Sequence, residues 1–341
     1  MPNSTIYSIA QKVGLSPSTV ARALRSDGVC SEKNRKLILE TAKSMGYAPS
    51  ASARSLRSRK THNIMFCIPD LYNDFYFGMI SGAAEVLEQN GYFAIVCHTA
   101  SSLKKELMMI DNLRARVGDG MIIVSFDFTK PLVDAMNSCG MPIVTTNIVE
   151  NPPERLNFDT VYIETTEGIY IAARHLIAQG HEKIGYIGGD VRTYSARQRL
   201  NGYLKAIGEA GIARREDYEA NGGFTRDGGF VCGARLVSLS DRPTAIVAAN
   251  DLMALGALEA CKAQGLRMPA DVALVGMDDT LITRVTNPAI TSVRMRQDDI
   301  GHIAAELLVQ RIKNPDKERS VIMLTPDIVI RESSIMAGGN L

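Results

Sequence analysis

From residue 62 onward the chain repeats one pattern, and that pattern limits what it can fold into. A short apolar run is followed by a longer segment with apolar residues at helical spacing. The runs fall at 63–68, 92–97, 120–125, 142–146, 183–187, 245–248 and 272–275. Helical spacing fills 75–89, 103–117, 166–179, 196–210, 227–240 and 252–264. Strands alternating with helices of roughly 10–15 residues predict parallel sheets with helices on both faces. About ten strands fit two such subdomains better than one. The length of 341 residues allows two or three domains, and 45% apolar with 22% charged residues suits a soluble globular chain. No apolar run approaches the ~18–20 residues that span a bilayer, and the first residues lack the apolar core of an export signal. A cytoplasmic protein with no membrane partner is expected. The six cysteines are scattered, without Cys-x-x-Cys or zinc-finger spacing, so buried reduced thiols are expected and no metal.

The near-neutral net charge of +1 hides an asymmetry. Residues 1–60 hold eleven Lys/Arg against three acids, a balance of +8; the rest hold 27 against 34, a balance of −7. A basic head on a mildly acidic body is the layout of a nucleic-acid binder with a second function, although a solvated basic face has the same charge. Within the head, Ile6, Ile9, Ala10 and Val13 share one face of a helix that Gly14 ends. Ser16 and Pro17 open a second helix, with Val20, Ala23 and Leu24 on its apolar side. A third starts at Ser31, presents Leu37, Ile38, Thr41, Ala42 and Met45, and stops at Gly46. The expected mini-core is Ile6, Ile9, Ala10, Val20, Leu24, Leu37 and Ile38. Two short helices joined by a glycine turn form a helix-turn-helix, whose second helix enters the DNA major groove. That places Pro17, Ser18 and Arg22 toward bases, with Arg22 suited to bidentate reading of a guanine. Thr5, Ser16, Thr19 and Lys33 suit phosphates. Thr5 and Ser16 also read simply as helix caps.

Residues 5–24, TIYSIAQKVGLSPSTVARAL, with VCSEKNR at 29–35 and GYAP at 46–49, resemble the N-terminal signature of the LacI/GalR family of bacterial transcription regulators. Ala21 stands where the family usually has a phosphate-contacting Ser, and Arg25 where Asn is usual; Arg25 offers a charged replacement for the lost contact. The resemblance divides the chain into a DNA-binding head at 1–48, a hinge helix and linker at 49–60, and an effector-binding and dimerisation core at 61–341. By composition, the small-residue stretch 50–57 is a flexible linker, too short for a stable isolated helix. The resemblance implies instead that paired hinge helices order in the minor groove. There Leu56 wedges between base pairs while Arg54 and Arg57 face phosphates. Ser50 replaces the more usual Asn.

In open α/β sheets, ligands bind beyond the carboxyl ends of the strands. The polar residues there are Asp70 to Tyr76, Ser125 to Phe128, Asn147, Gly189 to Arg199, Asn250–Asp251 and Asp278–Asp279. Aromatic faces, carboxylates, amides and a guanidinium suit a hydroxyl-rich or heterocyclic small molecule. DLYNDFY at 70–76, SARQRLNG at 195–202, PTAIVAANDLMALG at 243–256 and VGMDD at 275–279 resemble the effector core of the same family, which has a periplasmic-binding-protein-like fold. Position by position, the resemblance implies that Arg199, Asn250 and Asp278 hydrogen-bond the effector and that Phe224 stacks on it. Phe75 and Asn147 would form the opposite wall. Asn147 is neutral where the family commonly has Asp, and Glu164–Thr165 replaces the commoner Asp–Asn. Read from the residues alone, Asp278 and Asp279 are equally turn residues, Asn250 a helix cap, and Phe75 and Phe224 core. Arg197 reads as the brace of an ion pair.

GYIGGD at 185–190 lacks the Gly-x-Gly-x-x-Gly spacing of a dinucleotide loop, and neither a phosphate-binding loop, a Gly-x-Ser-x-Gly elbow nor His-Glu-x-x-His occurs. No catalytic residue, cofactor or metal is expected. The resemblance implies a repressor that binds a roughly palindromic operator as a homodimer, under control of a small-molecule effector, by family frequency a carbohydrate. The terminal 335–341 segment lacks leucine heptads, which favours a dimer over a tetramer. A solute-binding receptor without a gene-regulatory role, or a regulator that answers a nucleobase, is the alternative.

Overall fold

The computed structural model describes residues 5–24, 30–47 and 60–335. The chain divides into two compact units, Met1–Thr61 and His62–Leu341.

The first unit is built from three helices, α1 (Ile6–Val13), α2 (Pro17–Ala23) and α3 (Glu32–Ser44). Thr5 and Ser8 form a reciprocal capping box at the start of α1, and Gly14 ends the helix at φ 66°, a conformation glycine adopts without strain. Ser16 and Ser31 accept from the amides of Thr19 and Asn34, which satisfies otherwise free N–H groups of α2 and α3. Ile9, Ala10, Val20, Ala23, Ile38 and Ala42 are buried between the helices, with Ile6, Val13, Leu15, Leu24 and Met45 packed around them. Leu37 departs from the expected mini-core and is 45% exposed. Helical phase explains this: Ile38, Ala42 and Met45 follow one stripe, and Leu37 lies about 100° off it.

In the second unit, β1 (Asn63–Ile68), β2 (Phe93–His98), β3 (Gly120–Ile123), β4 (Ile143–Thr145) and β5 (Asp159–Ile163) alternate with α4 (Phe75–Gln89), α5 (Leu103–Arg114) and α6 (Lys130–Asn137). The second half runs α7 (Thr165–Ala178), β6 (Ile184–Gly188), α8 (Tyr194–Glu209), β7 (Glu219–Asn221), α9 (Arg226–Val237) and β8 (Ala245–Ala248). It continues through α10 (Asp251–Ala263), β9 (Ala273–Asp278), α11 (Leu281–Val285) and β10 (Thr291–Arg294). The chain closes with α12 (Gln297–Lys313), β11 (Val321–Leu324) and β12 (Asp327–Val329). Two six-stranded sheets result, in the orders β11-β5-β4-β3-β1-β2 and β12-β10-β9-β8-β6-β7. Every pairing is parallel except β10 with β12. The two expected parallel-sheet subdomains are present. No described helix is long and apolar enough to cross a membrane.

Each sheet is covered on both faces. Along β1, Ile64, Phe66 and Ile68 join the core toward α4 and α12, while Met65 and Cys67 join the one toward α5 and α6. Helix α12 follows a strand of the second sheet but packs on α4 of the first, and the contact needs glycine. A Cβ on Gly301 would stand 1.9 Å from the Met79 carbonyl oxygen. A buried ion pair ties the same helix to β5: Arg311 donates to Asp159 at 2.9 and 3.1 Å, and the Ser320 amide donates to the same carboxylate.

Candidate functional site

Two places in the described residues present unspent chemistry on a rigid frame. The first is the start of α2. Ser16, Pro17, Ser18 and Arg22 are exposed there and Thr19 is half-buried, on a helix whose buried face is fixed by Val20 and Ala23. Ser18 and Arg22 are one turn apart, so they share a face. The Ser16 hydroxyl lies 2.8 Å from those of both Ser18 and Thr19. Ser16 and Thr5 are engaged as caps, yet both stay exposed at helix N-termini, where backbone N–H groups favour anions. Lys33 is exposed at the start of α3. Arg25, Arg54, Leu56 and Arg57 lie outside the described residues.

The second place is a cavity of about 410 Å³ in the second unit, at the carboxyl ends of strands from both sheets. Phe75, Arg199, Phe224, Asn250 and Asp278 line it together. Arg199 comes from α8 and is only 7% exposed. Its guanidinium stands 5.0 Å from the centre of the Phe224 ring, and its Nε is buried without a hydrogen-bond partner. A buried donor left unmade is costly, and this one belongs to a side chain that lines the cavity. Phe224 sits at φ 60° and lies against Gly189, where a Cβ would stand 2.0 Å from the ring. Asn250 is largely committed: its oxygen caps α10 through the Met253 amide at 2.9 Å, and its nitrogen donates to the Phe224 carbonyl at 3.1 Å. It therefore holds the Phe224 loop as well as lining the cavity.

Asp278 and Asp279 both sit in the left-handed region, at φ 128° and 56°, and this kink sends their side chains apart. Such conformations cost about 1–3 kcal/mol each and persist where the surroundings over-determine them. The Asp278 carboxyl enters the cavity. Asp279 turns away to Arg331, Arg294 and Arg284, while its amide donates to Ser292. Burial pushes the Asp278 carboxyl well up, the charge of Asp251 adds to this, and Arg199 opposes it. Asp251, which accepts from Ser292 and Thr280, is itself pushed up to about 7, chiefly by burial. Burial also raises the Tyr76 phenol on the facing wall.

Asn147 is the one described effector-site candidate the structure does not bring to this cavity. It lines a small neighbouring pocket, and its amide donates to the Ser125 carbonyl at 2.8 Å. Glu164 caps α7 beside it through the Thr166 amide, and Arg197 pairs with Glu150 at 2.6 Å. Among the lining residues that were not singled out in the sequence, Glu106 carried a signal. It sits in the stripe Leu103, Glu106, Ile110, Leu113, where helical spacing calls for an apolar residue. Asp70, Asn73, Tyr76 and Asp127, which fall in the stretches expected beyond the strand ends, also line the cavity.

Residues 5–50 match the model of the family described as bacterial regulatory proteins, lacI family, and residues 173–334 match a periplasmic binding protein-like domain. The chain is 30% identical to the HTH-type transcriptional repressor PurR of Mannheimia succiniciproducens, over 97% of this chain and 98% of that protein. It is 31% identical to the ribose operon repressor of Haemophilus influenzae, again over 97% and 98%. The structure resembles that of the transcriptional regulator CelR in complex with cellobiose, with a TM-score of 0.73, 28% identity and coverage of 97% and 100%. The lac repressor dimer bound to operator and an anti-inducer shares the fold, with a TM-score of 0.86, 24% identity and coverage of 98% and 100%.

Proposed function

Because this chain belongs to the LacI family of bacterial regulatory proteins, we propose that it is a transcriptional repressor whose operator affinity is set by a small molecule in the cavity of the second unit. The observation that carries this reading is the pairing of two features in one chain. An exposed, capped helix of major-groove type occupies the head, and the core holds a cavity lined by a buried guanidinium among aromatic, amide and carboxyl groups. The head is assigned to 1–48, the hinge and linker to 49–60, and the sensor to 61–341. Arg22 reads base edges with Pro17 and Ser18 beside it, and Thr5, Ser16, Thr19 and Arg25 contact phosphates. Arg54 and Leu56 act from the hinge.

In the sensor, Arg199 and Asp278 hydrogen-bond the effector between Phe224 and Phe75. Asn250 fixes the Phe224 loop, and Asn147 positions Ser125 from behind. The effector is a carbohydrate or a nucleobase; relatives are named for ribose and for cellobiose. The protein acts in the cytoplasm and is not a catalyst. A homodimer fits the edge of the first sheet, where β2 leaves Phe93 69% exposed, with Ile95 and Val96 beside it and Phe77 on α4. An unpaired apolar edge of this kind is ordinarily covered by a partner.

The test is fluorescence anisotropy of the full chain on duplex DNA from upstream of its own gene cluster. Tight binding that prefers this duplex to a scrambled one and weakens steeply with salt is expected. An effector should shift the affinity ~5–150-fold, the span of ~1–3 kcal/mol of coupling. Absent or salt-insensitive binding refutes the regulator and leaves a solute receptor.

A further inference from the structure

The sign of the charge in the cavity narrows the effector, on the premise that this cavity is the effector site. Its walls carry four carboxyl groups, those of Asp70, Glu106, Asp127 and Asp278, and one guanidinium, that of Arg199. Arg199 lies against Phe224 and is already opposed by Asp278. Glu106 stands on the first turn of α5 and is 4% exposed. The Ser125 hydroxyl donates to its carboxyl and favours the charged form, whereas the Asp127 carboxylate acts in the same direction as burial. None of the ion pairs among the described residues includes Glu106. A buried carboxylate without a cation is costly, and natural proteins keep such groups where a ligand completes them. A helix-dipole role alone would be served equally well by an exposed acid. The apolar stripe of α5 instead turns this one inward.

We propose that Glu106 selects a non-anionic, donor-rich effector, an uncharged or amine-bearing polyhydroxylated molecule, and excludes sugar acids and phosphorylated sugars. Hydroxyl or ammonium hydrogens of such a ligand would add donors to the one that Ser125 supplies, and an ammonium would add the missing countercharge. A carboxylate or phosphate would instead add a charge of the same sign to an acidic wall.

The experiment uses the full chain in two measurements. Calorimetric titration compares matched compounds that differ only in charge: glucose, glucosamine, gluconate and glucose 6-phosphate; ribose and ribose 5-phosphate; adenosine and adenosine monophosphate. Binding confined to uncharged and amine-bearing members, and weakened at least about tenfold by Glu106→Gln, is expected; tighter binding of an anionic member overturns the proposal while leaving the sensor reading intact. The second measurement is thermal unfolding without ligand. Glu106→Gln keeps the shape and removes a buried charge that has no cation beside it, so the midpoint should rise by about 2 °C. A fall marks Glu106 as a structural acceptor and overturns the proposal even if no compound binds. A panel that changes neither melting nor operator affinity counts against the sensor reading, and the melting shift then decides the role of Glu106.

Discussion

Asp278 and Asp279 are neighbours in the chain with opposite surroundings, so replacing each should give opposite phenotypes. The Asp279 carboxylate is 1% exposed and faces Arg294 at 3.2 Å, Arg284 at 3.3 Å and Arg331. Arg284 and Arg294 remain about half exposed, and solvent screening leaves such pairs about 0–1 kcal/mol each. Arg331 is 14% exposed and dominates. Removing Asp279 leaves this buried guanidinium its bonds to Ile290 and Thr283 but no countercharge, which costs roughly 3–5 kcal/mol. At ~2–4 °C per kcal/mol for a domain of this order, Asp279→Ala should lower the melting midpoint by on the order of 10 °C. Asp278→Asn keeps the shape and removes a carboxyl whose ionised form burial and Asp251 both disfavour. It should melt at or above the wild-type temperature yet lose the effector response. Scanning calorimetry and effector-dependent anisotropy on labelled operator read the two effects separately. An Asp279→Ala midpoint within about 2 °C of wild type would refute the clasp. Equal destabilisation by both changes would make Asp278 structural.

Three further outcomes follow from the same geometry. Arg22→Ala should cost ~1–3 kcal/mol of base discrimination and leave effector binding unchanged; unaltered operator preference in competition binding would reassign Arg22 to phosphate. Gly301→Ala places a Cβ 1.9 Å from the Met79 carbonyl, a backbone atom that cannot rotate away. It should destabilise the core by ~1–3 kcal/mol in urea unfolding, and a neutral result would contradict the close packing of α4 on α12. The third concerns pH. Burial pushes Asp251 up to about 7 in the fold, and raises Asp278 as well. Below about pH 4 the folded and unfolded chains both hold the Asp251 proton, whereas above about 7 the fold must ionise a buried carboxyl that the unfolded chain ionises freely. Asp251 therefore subtracts stability as pH climbs from about 4 to 7, and Asp278 acts in the same direction. Asp251→Asn should flatten that arm of the stability profile, and an unchanged slope would place the titration elsewhere.

What the sequence made legible depended on how local each signal was. The strand–helix alternation was readable because fully buried parallel strands such as 63–68 and 245–248 are near-continuous apolar runs. Strand β5 opens on the buried Asp159, and β7 and β12 have three residues each, too few to show a period. Helix α12 breaks the alternation: it follows β10 of one sheet and packs on the other, a choice made by Gly301 and Arg311 through distant partners. Arg197 and Arg199 are equivalent in the string SARQRLNG. The phase of α8 separates them, turning Arg199 inward with Gly202 and Tyr203 and leaving Arg197 to Glu150. Asn147 resembled a wall residue by position, but one hydrogen bond to Ser125 directs its amide out of the cavity.

The architecture also fixes how a ligand can act at a distance. Only three chain crossings join the sheets: from β5 to α7, from β10 to α12, and from β11 to β12. Few covalent links therefore hold the halves together, although one hydrophobic cluster runs through both. Phe75 and Glu106 belong to the first half; Arg199, Phe224 and Asp278 belong to the second. A ligand held by one half alone would bind both orientations equally and shift neither, however tight its binding. One that bridges them gains interactions in a single orientation. Arg199 lines the cavity from the second half, and a hydrogen bond to a charged group, worth ~1.5–3 kcal/mol, would match a coupling of ~1–3 kcal/mol. The chain enters the first sheet at Asn63, directly after the proposed linker. On the proposed reading, reorientation of that half in a dimer changes the separation of the two points where the linkers begin, which is the quantity two DNA-bound heads must match.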